Sequence, residues 1–170
     1  MKKILLTGRP GCGKTTLVKR VLTKLAVSAC GFYTEEIRKC GDRVGFKIVT
    51  LAGEEAVLAH VDFKTTQRVG KYGLDLSALQ AGIEAIRVAT HAQQFVVIDE
   101  IGPMELRSRA FRDVVNEAFN SPKASILATI SARSFPFTDA IKKRPDVALI
   151  EVRSANREQL VFELSKQLLS

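Results

Sequence analysis

The chain has 170 residues, of which 46% are hydrophobic and 26% charged, and its formal net charge is +8. These values are typical of one globular domain and exclude a disordered chain, a collagen-like repeat and a coiled-coil rod. No apolar run approaches the roughly 18–20 residues of a membrane span, and the first residues lack the apolar stretch of a secretory signal. We therefore expect one domain over residues 1–170, in the cytoplasm and without a membrane partner.

The predicted elements alternate along the chain between strands and helices. Short apolar or β-rich runs predict strands, whereas apolar residues recurring every three or four positions predict helices. The predicted strands are Lys2 to Thr7, two hairpin strands within Gly31 to Thr50, Ala56 to Val61, Phe95 to Ile98, Ala124 to Ile130 and Val147 to Val152. The predicted helices are Lys14 to Ala26, Asp75 to Ala92 with Ser77 as its cap, Arg107 to Phe119, Phe137 to Lys142 and Ala155 to Leu169.

This alternation predicts an α/β fold with a mainly parallel central sheet flanked by helices. The fully apolar run Phe95 to Ile98 has the pattern of a central parallel strand. The antiparallel hairpin after the first helix is the irregular part, and we expect it to take no direct part in the chemistry. Lys142, Lys143 and Arg144 are interpreted as a solvated helix end.

The strongest functional signal is GRPGCGKT at Gly8 to Thr15, which matches G-x-x-x-x-G-K-[ST] at every specified position. A predicted strand enters this segment and a predicted helix leaves it, as in a phosphate-binding P-loop (Walker A). Glycines without β-carbons let the backbone curve round a phosphate, and the helix adds the positive end of its dipole. The predicted nucleotide-binding residues here are Gly8, Arg9, Pro10, Gly11, Cys12, Gly13, Lys14, Thr15 and Thr16.

Three side chains of this loop have individual expectations. Lys14 is expected to reach the β- and γ-phosphates, and the Thr15 hydroxyl to bind Mg²⁺. A helix N-terminus lowers the pKa of a thiol, so Cys12 is either oxidation-sensitive or, as we favour, a small residue that fills the loop.

An Asp-Glu pair follows the apolar run Phe95 to Ile98. Burying an aspartate at the end of such a strand is costly unless its charge is needed. In a P-loop protein it is needed by the magnesium ion, usually through water, so Asp99 is predicted to be the Walker B carboxylate. Glu100 is expected to orient the attacking water and to act as its general base.

Three further residues have alternative interpretations. Glu105 is a rival base or a structural carboxylate. Thr129, at the end of the next predicted strand, either senses the γ-phosphate or is an ordinary strand residue. Arg133 either neutralises charge that develops on the γ-phosphate or is a solvated loop arginine.

The positive charge is concentrated near the amino terminus. Residues 1–50 carry eleven Lys or Arg and three Asp or Glu, whereas residues 51–100 carry four and seven. A basic segment suits a polyphosphate or a nucleic-acid backbone as partner. No nucleic-acid-binding motif accompanies it, so nucleic acid stays a possible partner without motif support.

The chain resembles the small P-loop nucleoside-triphosphatases of hyperthermophiles and animals, a family that includes the cancer-related nucleoside-triphosphatases. IDEIGPMEL at Ile98 to Leu106 resembles the Walker B signature of that family. The match extends over nearly the whole chain through four other blocks, GFYTEEIR (Gly31 to Arg38), RVGFKIVTL (Arg43 to Leu51), RVGKYGLDL (Arg68 to Leu76) and IKKRPDV (Ile141 to Val147).

The resemblance implies a RecA-like P-loop fold with one strand inserted between the P-loop strand and the Walker B strand. It also implies Mg²⁺-dependent hydrolysis of ATP, GTP, CTP and UTP to diphosphates. The Pro103 position departs from the family, which usually has a basic residue there. The second nucleotide-contacting segment that the resemblance implies comprises Phe95, Val96, Val97, Ile98, Asp99, Glu100, Ile101 and Gly102.

Three other functions share the P-loop. A GTPase would satisfy D-x-x-G at Asp99 to Gly102, but no guanine-reading Asn-Lys-x-Asp occurs. A nucleotide or nucleoside kinase needs an Arg-rich lid, for which only Arg107 and Arg109 are available. A nucleic-acid-coupled ATP switch fits the basic first third. We predict a magnesium-dependent nucleoside triphosphatase of unspecified base preference and oligomeric state.

Overall fold

The computed structural model describes residues 1–25 and 28–169, and within them the chain forms one nine-stranded sheet with helices on both faces. The strands are β1 (Lys3–Thr7), β2 (Ala29–Lys39), β3 (Asp42–Thr50), β4 (Glu55–His60), β5 (Arg68–Val69), β6 (Tyr72–Leu74), β7 (Phe95–Ile101), β8 (Ser125–Ile130) and β9 (Val147–Glu151). The helices are α1 (Lys14–Lys24), α2 (Gln80–His91), α3 (Arg109–Asn120), α4 (Pro136–Lys142) and α5 (Arg157–Leu169), with 3₁₀ turns at Leu76–Leu79 and Glu105–Arg107. The predicted end of the first helix, Ala26, lies outside the described residues.

The sheet has the strand order β5-β6-β4-β3-β2-β7-β8-β1-β9. Five neighbouring strands of this order pair in parallel, namely β2, β7, β8, β1 and β9. Strands β3, β4, β6 and β5 then extend the sheet through antiparallel pairs. Because β8 lies between β1 and β7, one strand separates the P-loop strand from the Walker B strand, as the resemblance implies. The predicted α/β P-loop architecture is confirmed.

Helices cover the two faces of this sheet and form two apolar cores. Leu17 of α1 and Leu160 of α5 pack with Leu6 of β1 on one face. The other core contains residues of α2 and α3, such as Ile86 and Phe111. Successive residues of β7 alternate between the cores because side chains of a strand point to opposite faces. Among the described residues, no helix has both the length and the apolarity to cross a membrane.

The structure differs from the sequence prediction at three points. Asp75, not Ser77, is the cap before α2: its Oδ1 accepts a hydrogen bond from the Ser77 backbone N–H (3.0 Å), and a 3₁₀ turn precedes the helix. Strands β5 and β6 were not predicted, since two- and three-residue strands show no periodicity. Arg144 is not a solvated helix end, because its guanidinium bonds to Asp146 and to the carbonyl of Phe119.

Candidate active site

The P-loop connects β1 to α1 at the carboxyl edge of the parallel strands. Lys14 is buried, and its Nζ donates to the carbonyl oxygens of Gly8 (3.1 Å) and Arg9 (3.4 Å), which holds the ammonium inside the curve of the loop. Gly13, with φ +94°, has the left-handed backbone that precedes the helix. The first turn of α1 contains no acidic residue and no side-chain cap, so its N–H groups are available to an anion.

Cys12 fills the loop, as we favoured. Its backbone N–H donates to the Arg9 carbonyl (3.2 Å), and its Sγ would lie 2.9 Å from a β-carbon placed on Gly8. Its side chain also packs against the apolar core beneath α1. Arg9, Pro10, Gly11 and Thr16 are exposed around this loop, on the side where a ligand would arrive.

Asp99 is a buried carboxylate near the end of β7, with 1% of its surface exposed. Thr129 Oγ1 donates to its Oδ1, and the Thr15 hydroxyl lies close enough to lower the pKa of the same carboxyl group. Asp99 Oδ2 is also buried and has no hydrogen-bond partner among the described residues. Burial raises the pKa of Asp99, while the bond from Thr129, the nearby Thr15 hydroxyl and the charge of Lys14 act in the opposite direction. The structure therefore brings Asp99, Thr15 and Thr129 together and leaves one buried carboxyl oxygen of Asp99 without a partner among the described residues.

Strand β2 of the hairpin lies beside this site and contacts the backbone of Asp99, and whether the hairpin takes a direct part in the chemistry stays a prediction. Tyr33 of β2 lies opposite Asp99 in the parallel ladder, and Thr34 Oγ1 donates to the Asp99 carbonyl (2.8 Å). The charge of Lys19, whose Nζ lies 3.9 Å from the centre of the Tyr33 ring, also acts on the pKa of Asp99. Sequence reasoning missed Thr34 because a local hairpin pattern does not reveal a parallel pairing with a strand more than sixty residues away.

Glu100 and Glu105 meet across Gly102. A β-carbon on Gly102 would lie 2.5 Å from Glu100 Oε1 and 3.1 Å from Glu105 Oε2. Both carboxyl groups fit beside this residue because glycine has no side chain. Burial, followed by the charge of Glu100, raises the pKa of Glu105 to about 8. Burial also raises the pKa of Glu100, and the charge of Lys14 opposes this. Burial and the neighbouring Glu100 therefore favour the protonated form of Glu105 at neutral pH.

The other residues of the predicted second segment are apolar and buried. Phe95, Val96, Val97 and Ile98 pack into the two cores, and Ile101 is fully buried as well. Within this segment, Asp99 and Glu100 present polar side chains to the site. The apolar residues hold the strand between the cores.

Two candidates lie at the edge of the site. Arg133 is exposed; its backbone N–H donates to Ser131 Oγ (3.2 Å) and its carbonyl accepts from Lys142 Nζ (3.3 Å). Pro103 is partly buried in the turn after β7. Within residues 1–25 and 28–169, no three His, Cys, Asp or Glu side chains gather as a metal site.

The comparisons with known proteins agree with this geometry. The model of a family described as NTPase matches residues 3–165. A nucleoside-triphosphatase THEP1 of Thermotoga sp. (strain RQ2) is 49% identical over 163 residues, which are 95% of this chain and 92% of that protein.

Two solved structures have the same fold. The crystal structure of THEP1 from Aquifex aeolicus has a TM-score of 0.91 and 35% identity, covering 98% of both chains. The solution structure of a human cancer-related nucleoside triphosphatase has a TM-score of 0.83 and 35% identity, covering 99% of this chain and 97% of that one. With the family model matched almost end to end, the chain belongs to the NTPase family, whose relatives here are nucleoside-triphosphatases.

Proposed function

We propose that this chain is a magnesium-dependent nucleoside triphosphatase that converts ATP, GTP, CTP and UTP to the diphosphate and inorganic phosphate. The observation that carries the proposal is the buried Oδ2 of Asp99, which has no hydrogen-bond partner among the described residues and lies in a carboxyl group close to Thr15 at the start of α1. A buried anionic oxygen is costly unless a cation meets it. The whole chain, residues 1–170, acts as one P-loop domain in this proposal.

The P-loop would bind the phosphates. The loop from Gly8 to Thr15 supplies the curved backbone, and the free N–H groups at the start of α1 supply the anion site. Thr16, exposed on the same turn, would extend this contact towards the α-phosphate. Lys14 would exchange its bonds to the Gly8 and Arg9 carbonyls for phosphate oxygens.

Asp99 and Thr15 would hold the magnesium ion, Asp99 through water and Thr15 through its hydroxyl. Their oxygen atoms suit a hard cation, and the Thr15 hydroxyl is close enough to Asp99 to affect the pKa of its carboxyl group. When bound, the ion neutralises charge on the β- and γ-phosphates. Thr129 and Thr34 would keep Asp99 in place by bonding its carboxylate and its carbonyl.

Glu100 would be the general base, and Glu105 would be its neutral neighbour. A base must be deprotonated and must reach water. Glu105 is buried, with 4% of its surface exposed, and its pKa of about 8 keeps it protonated at neutral pH. Glu100 is half-buried, and the ammonium of Lys14 opposes the rise that burial causes in its pKa. These differences favour Glu100 as the residue that orients water towards the γ-phosphate.

Three other features bear on substrate and location. The sequence contains no guanine-reading Asn-Lys-x-Asp, and we propose that several bases are accepted. Arg133, in the loop after β8, is a candidate for neutralising γ-phosphate charge. The expected location is the cytoplasm, in keeping with three free cysteines.

Steady-state phosphate release tests the proposal. Purified protein is assayed with Mg²⁺ and each of ATP, GTP, CTP and UTP, without acceptor or nucleic acid. Lys14→Ala is assayed beside Lys24→Ala, a matched variant whose lysine is exposed in the last turn of α1. We expect the wild type to release phosphate from several triphosphates. This release should be lost in Lys14→Ala and retained in Lys24→Ala.

Other results would favour another member of the P-loop class. Tight binding without release, followed by transfer once a nucleotide or nucleoside is added, would indicate a kinase. Release only after DNA or RNA is added would indicate a nucleic-acid-coupled switch. Release with GTP alone would indicate a GTPase.

A further inference from the structure

Arg157 is a cation that the tertiary structure places beside the P-loop. It is the first residue of α5, and the preceding loop holds its backbone in place: Asn156 Oδ1 accepts from the Arg153 N–H (2.8 Å), and Asn156 Nδ2 donates to the Glu151 carbonyl (2.9 Å). The Arg157 N–H itself donates to the Arg153 carbonyl (3.1 Å). Its side chain therefore projects from a well-supported position.

The Arg157 side chain lies across Gly13. A β-carbon on Gly13 would lie 2.6 Å from Arg157 Nη1 and 2.9 Å from its Cδ. The packing of α5 on α1 brings them together, with Leu160 and Leu17 in the same core. The guanidinium consequently reaches the loop directly before Lys14.

The guanidinium of Arg157 has unused hydrogen-bonding capacity. Its Nε is buried and makes no hydrogen bond within the described part of the chain. The nearest carboxylate oxygen, Glu158 Oε1, is 3.7 Å from Nε, and Arg20 donates to both oxygens of Glu158. Buried arginine donors normally have acceptors, and phosphate oxygens suit their planar geometry.

The strand order shows which part of a nucleotide Arg157 would meet. Asp99 is on β7, two strands from β1 on one side, whereas α5 follows β9, which adjoins β1 on the other side. The metal and the γ-phosphate lie at the Asp99 side of the loop in the proposed function. The nucleoside end of the bound nucleotide would therefore lie on the opposite side of the loop, the side on which Arg157 is located.

We propose that Arg157 binds the α-phosphate of the nucleotide through charge-assisted N–H···O bonds. This inference rests on the proposed function and adds a nucleotide-binding residue to it. The α-phosphate is common to all nucleoside di- and triphosphates, so this contact holds the nucleotide without distinguishing bases. It also contributes equally to the ground state and the transition state, because bond breaking takes place at the γ-phosphate.

Binding and turnover are measured for wild type, Arg157→Ala, Arg157→Gln and Arg157→Lys. We expect Arg157→Ala and Arg157→Gln to raise the Kd of ADP and the KM of ATP about ten-fold, and to change kcat less than about two-fold. Arg157→Lys keeps the charge and should recover part of the affinity. Arg87→Ala, which removes an arginine from α2 on the other face of the sheet, should match wild type.

Each other outcome has a definite meaning. Unchanged ADP affinity in Arg157→Ala overturns the inference, and so does a large loss of kcat with ADP binding intact, which would place the contact on the γ-phosphate. Better recovery by Gln than by Lys would show that the positive charge is not needed, and this would overturn a charge-assisted contact with the phosphate. If Arg157→Ala unfolds, the Gln and Lys variants decide, once their melting temperatures match wild type. Wild-type protein that binds neither ATP nor ADP would contradict the proposed function itself.

Discussion

The two ends of the parallel strands bury charge in opposite ways. At the amino end, Lys3 of β1 is buried, and its Nζ donates to the Phe119 carbonyl and to Asp146 Oδ2, both at 2.7 Å. Arg144 bonds to the same carbonyl and to the same carboxylate. At the carboxyl end, Asp99 Oδ2 is buried without a hydrogen bond among the described residues, and Glu105 is forced towards its neutral form.

The pKa shifts of these carboxyl groups express the same contrast. The Arg144 guanidinium and the Lys3 ammonium hold the pKa of Asp146 well below its ordinary value, so this carboxylate is stabilised by the fold. Burial raises the pKa of Asp99, Glu100 and Glu105, so the fold disfavours their charged forms. A structural site satisfies its own charges, whereas a ligand site leaves that to the ligand.

Replacing Asp99 with Asn should have the largest effect on activity. The variant loses the carboxylate that would hold the metal, so we expect Mg²⁺-dependent phosphate release to fall about 1,000-fold. Its melting temperature should stay close to that of wild type, because the removed charge is unfavourable in the nucleotide-free protein. Thermal unfolding and phosphate release measured on the same sample check both statements. A large loss of melting temperature would mean that Asp99 is structural, like Lys3.

Replacing Glu100 with Gln should lower kcat about 100-fold while ATP binding is retained, because an amide can orient water but cannot accept its proton. Glu105→Gln is the matched control, and it should lower kcat less than about ten-fold because Glu105 is already neutral. Single-turnover kinetics with ATP titrations separate binding from chemistry. The roles of the two residues would be exchanged if Glu105→Gln proved the more damaging.

For Lys3 and Asp146, at the amino end of the strands, we expect the reverse: a loss of stability without a loss of activity. Lys3→Met removes the buried ammonium and its two hydrogen bonds, while Arg144 continues to bond the Phe119 carbonyl. We expect a loss of about 2 kcal/mol of unfolding free energy and a melting temperature lower by about 4–8 °C. The kcat of the folded variant should equal that of wild type. A changed kcat at full saturation would show that the two ends of the sheet are coupled.

The raised pKa of Glu105 predicts a dependence of stability on pH. The folded protein holds this proton up to about pH 8, whereas the unfolded chain releases it near pH 4.5, so stability falls as the pH rises between these values. Metal-free wild type should therefore lose at least a few degrees more of melting temperature between pH 6 and pH 9 than Glu105→Gln. Parallel curves for the two proteins would contradict the assigned shift.

The smallest effect is expected at Thr34. Thr34→Val removes one hydrogen bond to the Asp99 carbonyl, at a cost of about 1 kcal/mol, which corresponds to about a five-fold lower kcat/KM. Thr34→Ser retains the hydroxyl and should match wild type. Equal kinetics for the Val and Ser variants would mean that the hairpin has only a structural role.

The candidate site could be predicted from the sequence where its residues are contiguous. The P-loop and the Asp99-Glu100 pair are each a short segment between a strand and a helix or turn, so local spacing was enough to identify them. Thr129 was named as a candidate from its place at a strand end, and the structure shows its hydroxyl on Asp99. Thr34 and Arg157 were not identified, because each reaches the site through pairing or packing with a distant segment.

The sequence by itself therefore determined the α/β class, the P-loop and the carboxylates, since each depends on periodicity or spacing within a few residues. Only the tertiary structure decided that the pKa of Glu105 is raised to about 8, because this pKa depends on burial and on the approach of Glu105 to Glu100 across Gly102. It also decided the contrast between the two ends of the sheet. Lys3 and Asp146 are more than a hundred residues apart, and the parallel pairing of β1 with β9 brings them together.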